Sequence, residues 1–356
     1  MDASRPRVAI VCADRGIPWF GDGGASAHLR GIAGGYGAAG CAVEAWVRTL
    51  GPAGIDVPGV RVFEGPARGF DGWVGRMLSE RAPDLVHQRH ALDVGVPLRG
   101  TRPRRWVLEV NAPLVWEGAL FRGAEASRRR LARERATFAA ADEVIAVSEG
   151  LAAWIGPRAR VVPNGVAAWE LVADGGAALE DAVAVESPGV DAPFVLGYEG
   201  TFKPWHGLVA EVARLPELAA QVGSLRVDLA GDGPERAPVL AALARHGIDH
   251  AWLGVLGRRA LARARRGWSA SWSPEAPWPP AGATSVAQAL GEPVPDRWFA
   301  PLKEANAAAA GLPLWKGGAL RAPAPPPPTW EDIAADLLAH AGLVASGGRC
   351  AAPVVG

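Results

Sequence analysis

Short apolar runs rich in β-branched residues alternate with longer stretches of helical periodicity through the first half of the chain. A glycine-rich turn at 20–25 follows the first apolar run and precedes a helical stretch over 26–39, and this order predicts a βαβ unit. Alternation of this kind predicts a parallel sheet that is covered by helices on both faces. The candidate strands are 7–12, 41–47, 60–63, 84–87, 106–110, 143–147 and 159–162.

A second alternating set begins near position 193. It holds candidate strands at 194–198, 226–230 and 251–254 and candidate helices over 208–221 and 237–246. Residues 168–192 lack periodicity, and we interpret them as a linker. The sequence therefore predicts an α/β fold in which two Rossmann-like domains, 1–167 and 193–321, face each other across a cleft.

The last part of the chain, 322–356, opens with a proline-rich segment. Residues 322–328 must be extended, because proline fixes φ and lacks the N–H donor that a helix needs. Thr329 then precedes an apolar periodic stretch, and Asp332 follows it three residues later. This spacing predicts a capping box and a closing helix that runs to about His340.

Charge and cysteine content narrow the function classes. The chain has 37 basic and 37 acidic residues, whereas a nucleic-acid-binding protein normally shows a basic excess, so we expect no nucleic-acid partner. The three cysteines, Cys12, Cys41 and Cys350, are too few and too scattered for a disulfide framework or a cysteine-based zinc site.

Membrane association is expected at most at the surface. No run reaches the roughly 18 apolar residues that a membrane span needs, and the first residues do not resemble a signal peptide, so we expect a cytoplasmic protein. The helix predicted over 125–141 has a strongly basic face. That face is either simply solvated or forms a peripheral contact with a membrane or an acceptor.

Three segments suit an anionic ligand. The first is the turn that includes Gly23 and Gly24, where glycine lets the backbone approach a ligand at a helix N-terminus; a plain tight turn is the alternative. The second is the loop 199–207, which follows a strand end, where open α/β sheets bind ligands. Its Lys203 and His206 suit a diphosphate, unless they are a surface lysine and a packed histidine.

The third segment is a helix that Pro301 opens and Gly311 closes. Lys303 lies in its first turn, where a cation opposes the helix dipole. A bound phosphate would give Lys303 a favourable partner. The alternative is a solvated surface lysine.

A series of motifs runs through nearly the whole chain in a specific order. They are GGA at 23–25, PDLVH at 83–87, LEVNAPL at 108–114, ADEVIAVS at 141–148, VVPNGV at 161–166, GTFKPWHG at 200–207, LAGDGPE at 229–235, PLK at 301–303 and AGLP at 310–313. Together they resemble bacterial family 4 retaining glycosyltransferases of the GT-B fold. The resemblance implies transfer of a sugar from a nucleotide-sugar donor to an acceptor, with retention at the anomeric carbon. No carboxylate pair stands out with the D-x-D spacing of a metal site, so we expect no metal ion and no other cofactor.

The resemblance also assigns roles to the two domains. The C-terminal domain would bind the donor, and the N-terminal domain an acceptor that is a small molecule, a glycan or a lipid-linked compound. Glu109 and Asn111 alternate onto one face if they lie on a strand, although Glu109 also suits a structural hydrogen bond. The implied catalytic residues are Glu109, Asn111, Lys203 and Lys303. The implied donor contacts are Gly23, Gly24, Gly200, Thr201, His206, Gly231, Pro301, Leu302 and Asn306.

The chain departs from this family in its donor domain. Asn306 stands where relatives carry a glutamate that binds hydroxyl groups of the donor, and Trp298 stands where many carry a second glutamate. An aspartate usual near 267–271 is missing, and the chain after Pro313 is short. These departures leave three hypotheses: a working transferase, a catalytically degenerate binding or partner protein, and a different reaction on the same scaffold.

Overall fold

The computed structural model describes residues 5–52, 57–92, 103–168 and 192–343. Within these residues the N-terminal domain contains a seven-stranded sheet with the order β3-β2-β1-β4-β5-β6-β7, and every neighbouring pair is parallel. The strands are β1 (Arg7–Cys12), β2 (Ala42–Val47), β3 (Val60–Glu64), β4 (Leu85–Arg89), β5 (Trp106–Val110), β6 (Glu143–Ala146) and β7 (Ala159–Val161).

Helices cover both faces of this sheet, as the alternating pattern predicts. Ser127 and Ser148 begin two of them by accepting a hydrogen bond from a backbone N–H of the first turn. The helices are α1 (Gly24–Ala38), α2 (Phe70–Arg81), α3 (Leu114–Phe121), α4 (Arg128–Ala140) and α5 (Glu149–Ile155). Helix α2 was not predicted from the sequence.

The C-terminal domain contains a six-stranded sheet in the described residues, with the order β10-β9-β8-β11-β12-β13. Only the last pair, β12 with β13, is antiparallel. The strands are β8 (Phe194–Glu199), β9 (Leu225–Ala230), β10 (Asp249–Gly254), β11 (Ala270–Trp272), β12 (Leu314–Lys316) and β13 (Ala319–Arg321). The helices are α6 (Leu208–Val212), α7 (Leu215–Val222), α8 (Arg236–Arg245), α9 (Arg258–Arg266), α10 (Ala283–Leu290) and α11 (Leu302–Ala309).

The closing helix α12 (Trp330–His340) returns to the N-terminal domain and packs on α1. A Cβ atom at Gly35 would lie 2.2 Å from the carbonyl oxygen of Trp330, so only glycine permits this close approach. The predicted capping box is confirmed, with Thr329 and Asp332 exchanging hydrogen bonds between side chain and backbone. The C-terminal segment is therefore part of the N-terminal core.

The prediction of two Rossmann-like α/β domains that face each other across a cleft is confirmed. The predicted linker at 168–192 lies outside the described residues except at its ends, as does Cys350. Many of the 15 tryptophans fill the interior, since Trp46, Trp116, Trp272 and others are fully buried. Cys12 and Cys41 are buried and form no disulfide among the described residues.

The basic helix α4 contributes to the contact between the domains. Arg128 Nε donates to the carbonyl oxygen of Ala289 over 3.0 Å, and Arg135 pairs with Glu292 at 3.1 Å. A contact of this helix with a membrane or an acceptor stays a prediction. Among the described residues, no helix combines the length and the apolar character needed to cross a bilayer.

Candidate functional site

A cavity of about 320 Å³ lies between the carboxyl ends of the two sheets, with residues of both domains in its lining. Of the residues that the sequence singles out, the lining includes Gly24, Asn111, His206, Pro301, Leu302 and Lys303. It does not include Gly23, Glu109, Lys203, Gly200, Thr201, Gly231 or Asn306. The first turns of α1 and α11 approach each other here, since a Cβ atom at Gly24 would lie 3.9 Å from Leu302 Cδ2.

Lys303 is the cation of the C-terminal wall that the motif predicts. Pro301 is the N-cap of α11 and Lys303 is its second residue. The Nζ atom lies 4.4 Å from the centre of the Tyr198 ring, and no carboxylate of the described residues pairs with it. Burial lowers the pKa of Lys303 to about 8, although Glu199 and Glu304 oppose this shift. An anion bound beside Nζ would therefore be strongly favoured.

Two glycine-rich turns meet next to Lys303. Gly200 and Gly231 have φ angles of +146° and +121°, and a Cβ atom at Gly231 would lie 2.0 Å from the carbonyl oxygen of Gly200. A Cβ atom at Gly200 would lie 3.9 Å from Lys303 Nζ. A side chain is thus excluded at Gly231, and the backbone of Gly200 lies close to the lysine.

The loop between β8 and α6 contributes a neutral ring rather than two cations. Burial lowers the pKa of His206 to about 3, with Lys303 and Lys203 adding to the shift, and its Nδ1 lies 3.1 Å from the Tyr198 hydroxyl. His206 thus lines the cavity as a packed neutral ring in the free protein, and its contact with a diphosphate stays a prediction. Lys203 lies outside the cavity lining, with its Nζ 5.8 Å from the Trp205 ring centre.

Asn306 does not reach the cavity. It is buried beneath α11, where its Nδ2 donates to Glu199 Oε1 over 2.6 Å. The same carboxylate accepts Arg265 Nε and Nη2 at 2.6 and 2.9 Å. The predicted donor contact of Asn306 is not seen in this structure, because the amide lies outside the cavity lining and adds a hydrogen bond to the buried Glu199–Arg265 ion pair. Trp298 is likewise fully buried.

The C-terminal wall also holds charges that the sequence analysis missed. Lys316, at the end of β12, contacts Glu304 at 2.8 Å and Glu275 at 3.5 Å. Glu304 also accepts the Ser273 hydroxyl at 2.6 Å. The sequence offered one signal for this site, a lysine directly after the apolar residues Leu314 and Trp315. Arg297 Nη1 lies 3.7 Å from Glu275 Oε1, so two cations face these two carboxylates within the wall. Lys303, by contrast, has no salt-bridge partner in the part of the chain that the structure describes.

The N-terminal wall is organised by Glu109, which is buried behind the cavity at the end of β5. Its Oε2 lies 2.8 Å from His28 Nε2 and 3.0 Å from His87 Nε2, and its Oε1 lies 3.2 Å from Arg89 Nη1. Asn111 Nδ2 donates to the same carboxylate, as the shared strand face predicts. Burial would raise the pKa of Glu109, but His28 and His87 hold it well below its usual range.

Glu109 therefore positions three side chains that line the cavity, namely His28, Arg89 and Asn111. His28 Nδ1 also lies 2.9 Å from Asn164 Oδ1, and Asn164 Nδ2 donates to the carbonyl oxygen of Ala300 over 2.7 Å. Asn164 belongs to the VVPNGV motif and so links this wall to the other domain. His28 and Arg89 were missed, although each follows a motif glycine or a strand end by a few residues.

The fold is that of GT-B glycosyltransferases. The chain is similar to sucrose-phosphate synthase from Thermosynechococcus elongatus, with a TM-score of 0.59, 17% identity and coverage of 88% of this chain and 81% of that one. It is also similar to AviGT4, a glycosyltransferase involved in avilamycin A biosynthesis (TM-score 0.56, 18% identity, 88% and 79% covered). The Anabaena protein Alr3699/HepE in complex with UDP and glucose gives a TM-score of 0.51 at 17% identity, with 91% and 87% covered. No family model and no curated protein matches the chain.

Proposed function

We propose that this protein is a metal-independent glycosyltransferase that transfers a sugar from a nucleotide-sugar donor to an acceptor with retention of anomeric configuration. The observation that carries the proposal is the unpaired Lys303 at the start of α11, beside the backbone of Gly200 in the interdomain cavity. A GT-B fold alone is compatible with other chemistry, so the proposal depends on this cationic site. Similar structures include one in complex with UDP and glucose.

The chemistry follows from where charge develops. When the bond between the anomeric carbon and the donor phosphate breaks, the leaving nucleoside diphosphate gains negative charge. The ammonium of Lys303 and the free N–H groups at the start of α11 stabilise that charge without reorganisation, as an oxyanion hole does. The neutral ring of His206 adds a hydrogen-bonding group rather than a second charge.

The acceptor would lie against the N-terminal wall. Asn111 presents its amide to the cavity while Glu109 holds it from behind, so Asn111 is the group of this pair that contacts a substrate hydroxyl. Glu109 is a positioning residue, because its carboxylate is already occupied by four donors. We assign it no role as a base.

The test measures transfer or hydrolysis with a panel of nucleotide-sugars and the purified full-length chain. We expect Lys303→Ala to reduce kcat/KM by roughly a hundredfold or more, which is the scale of losing one oxyanion-stabilising donor. The matched control is Arg245→Ala, which removes an exposed cation from the same domain. Turnover that is unchanged in Lys303→Ala would contradict the proposal.

A second candidate function is a catalytically degenerate protein that binds a nucleotide in a biosynthetic pathway or assists a partner. It is favoured by the inward position of Asn306 and the burial of Trp298, which leave the cavity without the two carboxylates that the family resemblance implies. Binding without turnover distinguishes it. A nucleoside diphosphate at about a hundred times its Kd should stabilise the chain by roughly 2.7 kcal/mol in either case.

A further inference from the structure

The chain between β11 and α11 packs on the other domain. These residues, 276–300, include α10, and we call them the clasp. Leu290 and Trp298 of the clasp are buried in the hydrophobic core of the N-terminal domain, together with Trp116 and Leu151. The ring centre of Phe121, in α3, lies 6.4 Å from that of Trp298. The clasp therefore belongs to the C-terminal domain in chain order but to the N-terminal domain in its packing.

Polar contacts fix the orientation of the clasp on α4 and α5. Arg128 Nε donates to the carbonyl oxygen of Ala289 over 3.0 Å, at the end of α10, where carbonyl oxygens need partners outside the helix. Glu292 Oε2 accepts Trp154 Nε1 over 3.3 Å and lies 3.1 Å from Arg135 Nη2. The clasp is thus held by directional contacts as well as by apolar burial.

The last residues of the clasp lead directly into α11. Ser148 Oγ donates to the carbonyl oxygen of Trp298 over 2.9 Å, and Asn164 Nδ2 donates to that of Ala300 over 2.7 Å. Both donors belong to the N-terminal domain. That domain therefore positions the first turn of α11, and with it Lys303, at the cavity.

The two chain crossings between the domains start side by side. Val166, which follows β7, forms an isolated parallel bridge with Thr329, which precedes α12. The Trp330 N–H donates to the carbonyl oxygen of Val166 over 3.0 Å. Two adjacent crossings alone would form a hinge about which the domains could rotate. The clasp adds contacts with α3, α4 and α5, and such a rotation would have to break them.

We propose that the clasp holds the two domains in the arrangement that forms the cavity, so that a ligand enters a preformed site and no closing rotation accompanies its binding. Relative motion of two domains is expected unless their interface is large and hydrophobic, and this interface buries Leu290 and Trp298 in an apolar core. The closed arrangement does not depend on the ligand. Only its effect on nucleotide affinity rests on the proposed function.

One substitution disrupts the clasp contact specifically. A Cβ atom at Gly150, in α5, would lie 2.4 Å from the carbonyl oxygen of Arg297, so Gly150→Ala must displace the backbone of the clasp. The matched control is Gly72→Ala in α2, where a Cβ atom would meet no atom of the described residues within 4 Å. Both substitutions favour the helix that contains them, so a difference between the two variants reports the clasp.

The test is small-angle X-ray scattering of the full-length chain, with and without saturating uridine diphosphate or guanosine diphosphate. We expect the wild type and Gly72→Ala to keep one radius of gyration in both conditions. Gly150→Ala should have a larger radius when free, and the nucleotide should reduce it. If the closed arrangement is populated at about one tenth in Gly150→Ala, its apparent Kd for the nucleotide rises roughly tenfold.

A second variant keeps the test decisive if circular dichroism shows that Gly150→Ala does not fold. Arg128→Ala combined with Glu292→Ala removes polar contacts of the clasp with α4 and leaves the buried Leu290 and Trp298 in place. This double variant should increase the radius of gyration of the free protein by a smaller amount.

Two results would overturn the proposal. One is a wild-type radius of gyration that falls when the nucleotide binds. The other is a free radius that is equal in the wild type and in every clasp variant that folds. If no nucleoside diphosphate binds the wild type, the proposed function fails, and the comparison of the free proteins still decides whether the clasp holds the domains.

Discussion

Each domain buries one carboxylate at the end of a central strand, and the two carboxylates have different surroundings. Glu109 is the last but one residue of β5 and contacts His28, Arg89 and Asn111, which all line the cavity. Glu199 ends β8 against Arg265 and Asn306, neither of which reaches the cavity. A buried carboxylate near the carboxyl end of a parallel strand thus organises a ligand-facing network in one domain and an internal ion pair in the other.

The comparison explains how the donor domain tolerates its missing glutamate. A carboxylate at position 306 would lie against Glu199, whose Oε1 is 2.6 Å from Asn306 Nδ2. The amide donates to that oxygen, which a carboxylate cannot do. Asparagine at position 306 therefore fits the buried Glu199–Arg265 pair, whereas a glutamate there would not. The cationic part of the cavity, with Lys303, is left intact.

The largest expected effect is on folding stability. Glu109→Ala leaves Arg89, His28 and His87 without their shared anion, and breaking a buried charge network of this kind costs about 3–5 kcal/mol. Denaturant unfolding measures the loss. The control Glu117→Ala breaks a pair with Arg122, whose side chain is 59% exposed, and should cost no more than about 1 kcal/mol. Equal losses would show that Glu109 is not the centre of its network.

The second expected effect tests whether Glu199, unlike Glu109, belongs to an internal ion pair and not to a ligand-facing network. Asn306→Asp places a second carboxylate against Glu199 and should cost about 1–3 kcal/mol, the scale of leaving a buried polar group unsatisfied. Affinity for a nucleoside diphosphate, measured by calorimetry, should not increase. Tighter binding of the nucleoside diphosphate by Asn306→Asp would mean that the side chain at position 306 contacts the ligand. That result would contradict the contrast drawn between Glu109 and Glu199.

The smallest effect is the acid response of the N-terminal network. Because the pKa of Glu109 lies well below its usual 4.5, its contribution to stability is complete above that pH and is lost as pH falls toward the folded-state pKa. The slope from this one group is at most about 1.4 kcal/mol per pH unit. Urea unfolding at stepwise lower pH should show this loss of stability in the wild type. The same loss should be absent from Glu109→Gln.

The sequence was sufficient for features that are local. The strand alternation of Glu109 with Asn111 and the position of Lys303 in the first turn of α11 both follow from spacing within one element. The hairpin of β12 and β13 was missed, although Gly317 and Gly318, with φ angles of +61° and +80°, are the dipeptide that such a turn favours.

Contacts between distant segments could not be predicted. His28 meets Glu109 from 81 positions away, and Asn306 meets Glu199 from 107. A side chain three residues beyond Lys303 on the same short helix is expected on a nearby face, so nothing local indicates that Asn306 points inward. The buried partner decides the direction, and only the packed fold brings it there.

The central claim is that Lys303 binds the diphosphate of a nucleotide ligand. The chain has only three lysines, Lys203, Lys303 and Lys316, so lysine-selective ¹³C NMR can follow each ammonium group separately. We predict that Lys303 titrates near pH 8 in the free protein and that a saturating nucleoside diphosphate raises its pKa, because the bound anion favours the charged form. An unchanged titration of Lys303 in the presence of the bound nucleotide would contradict the account.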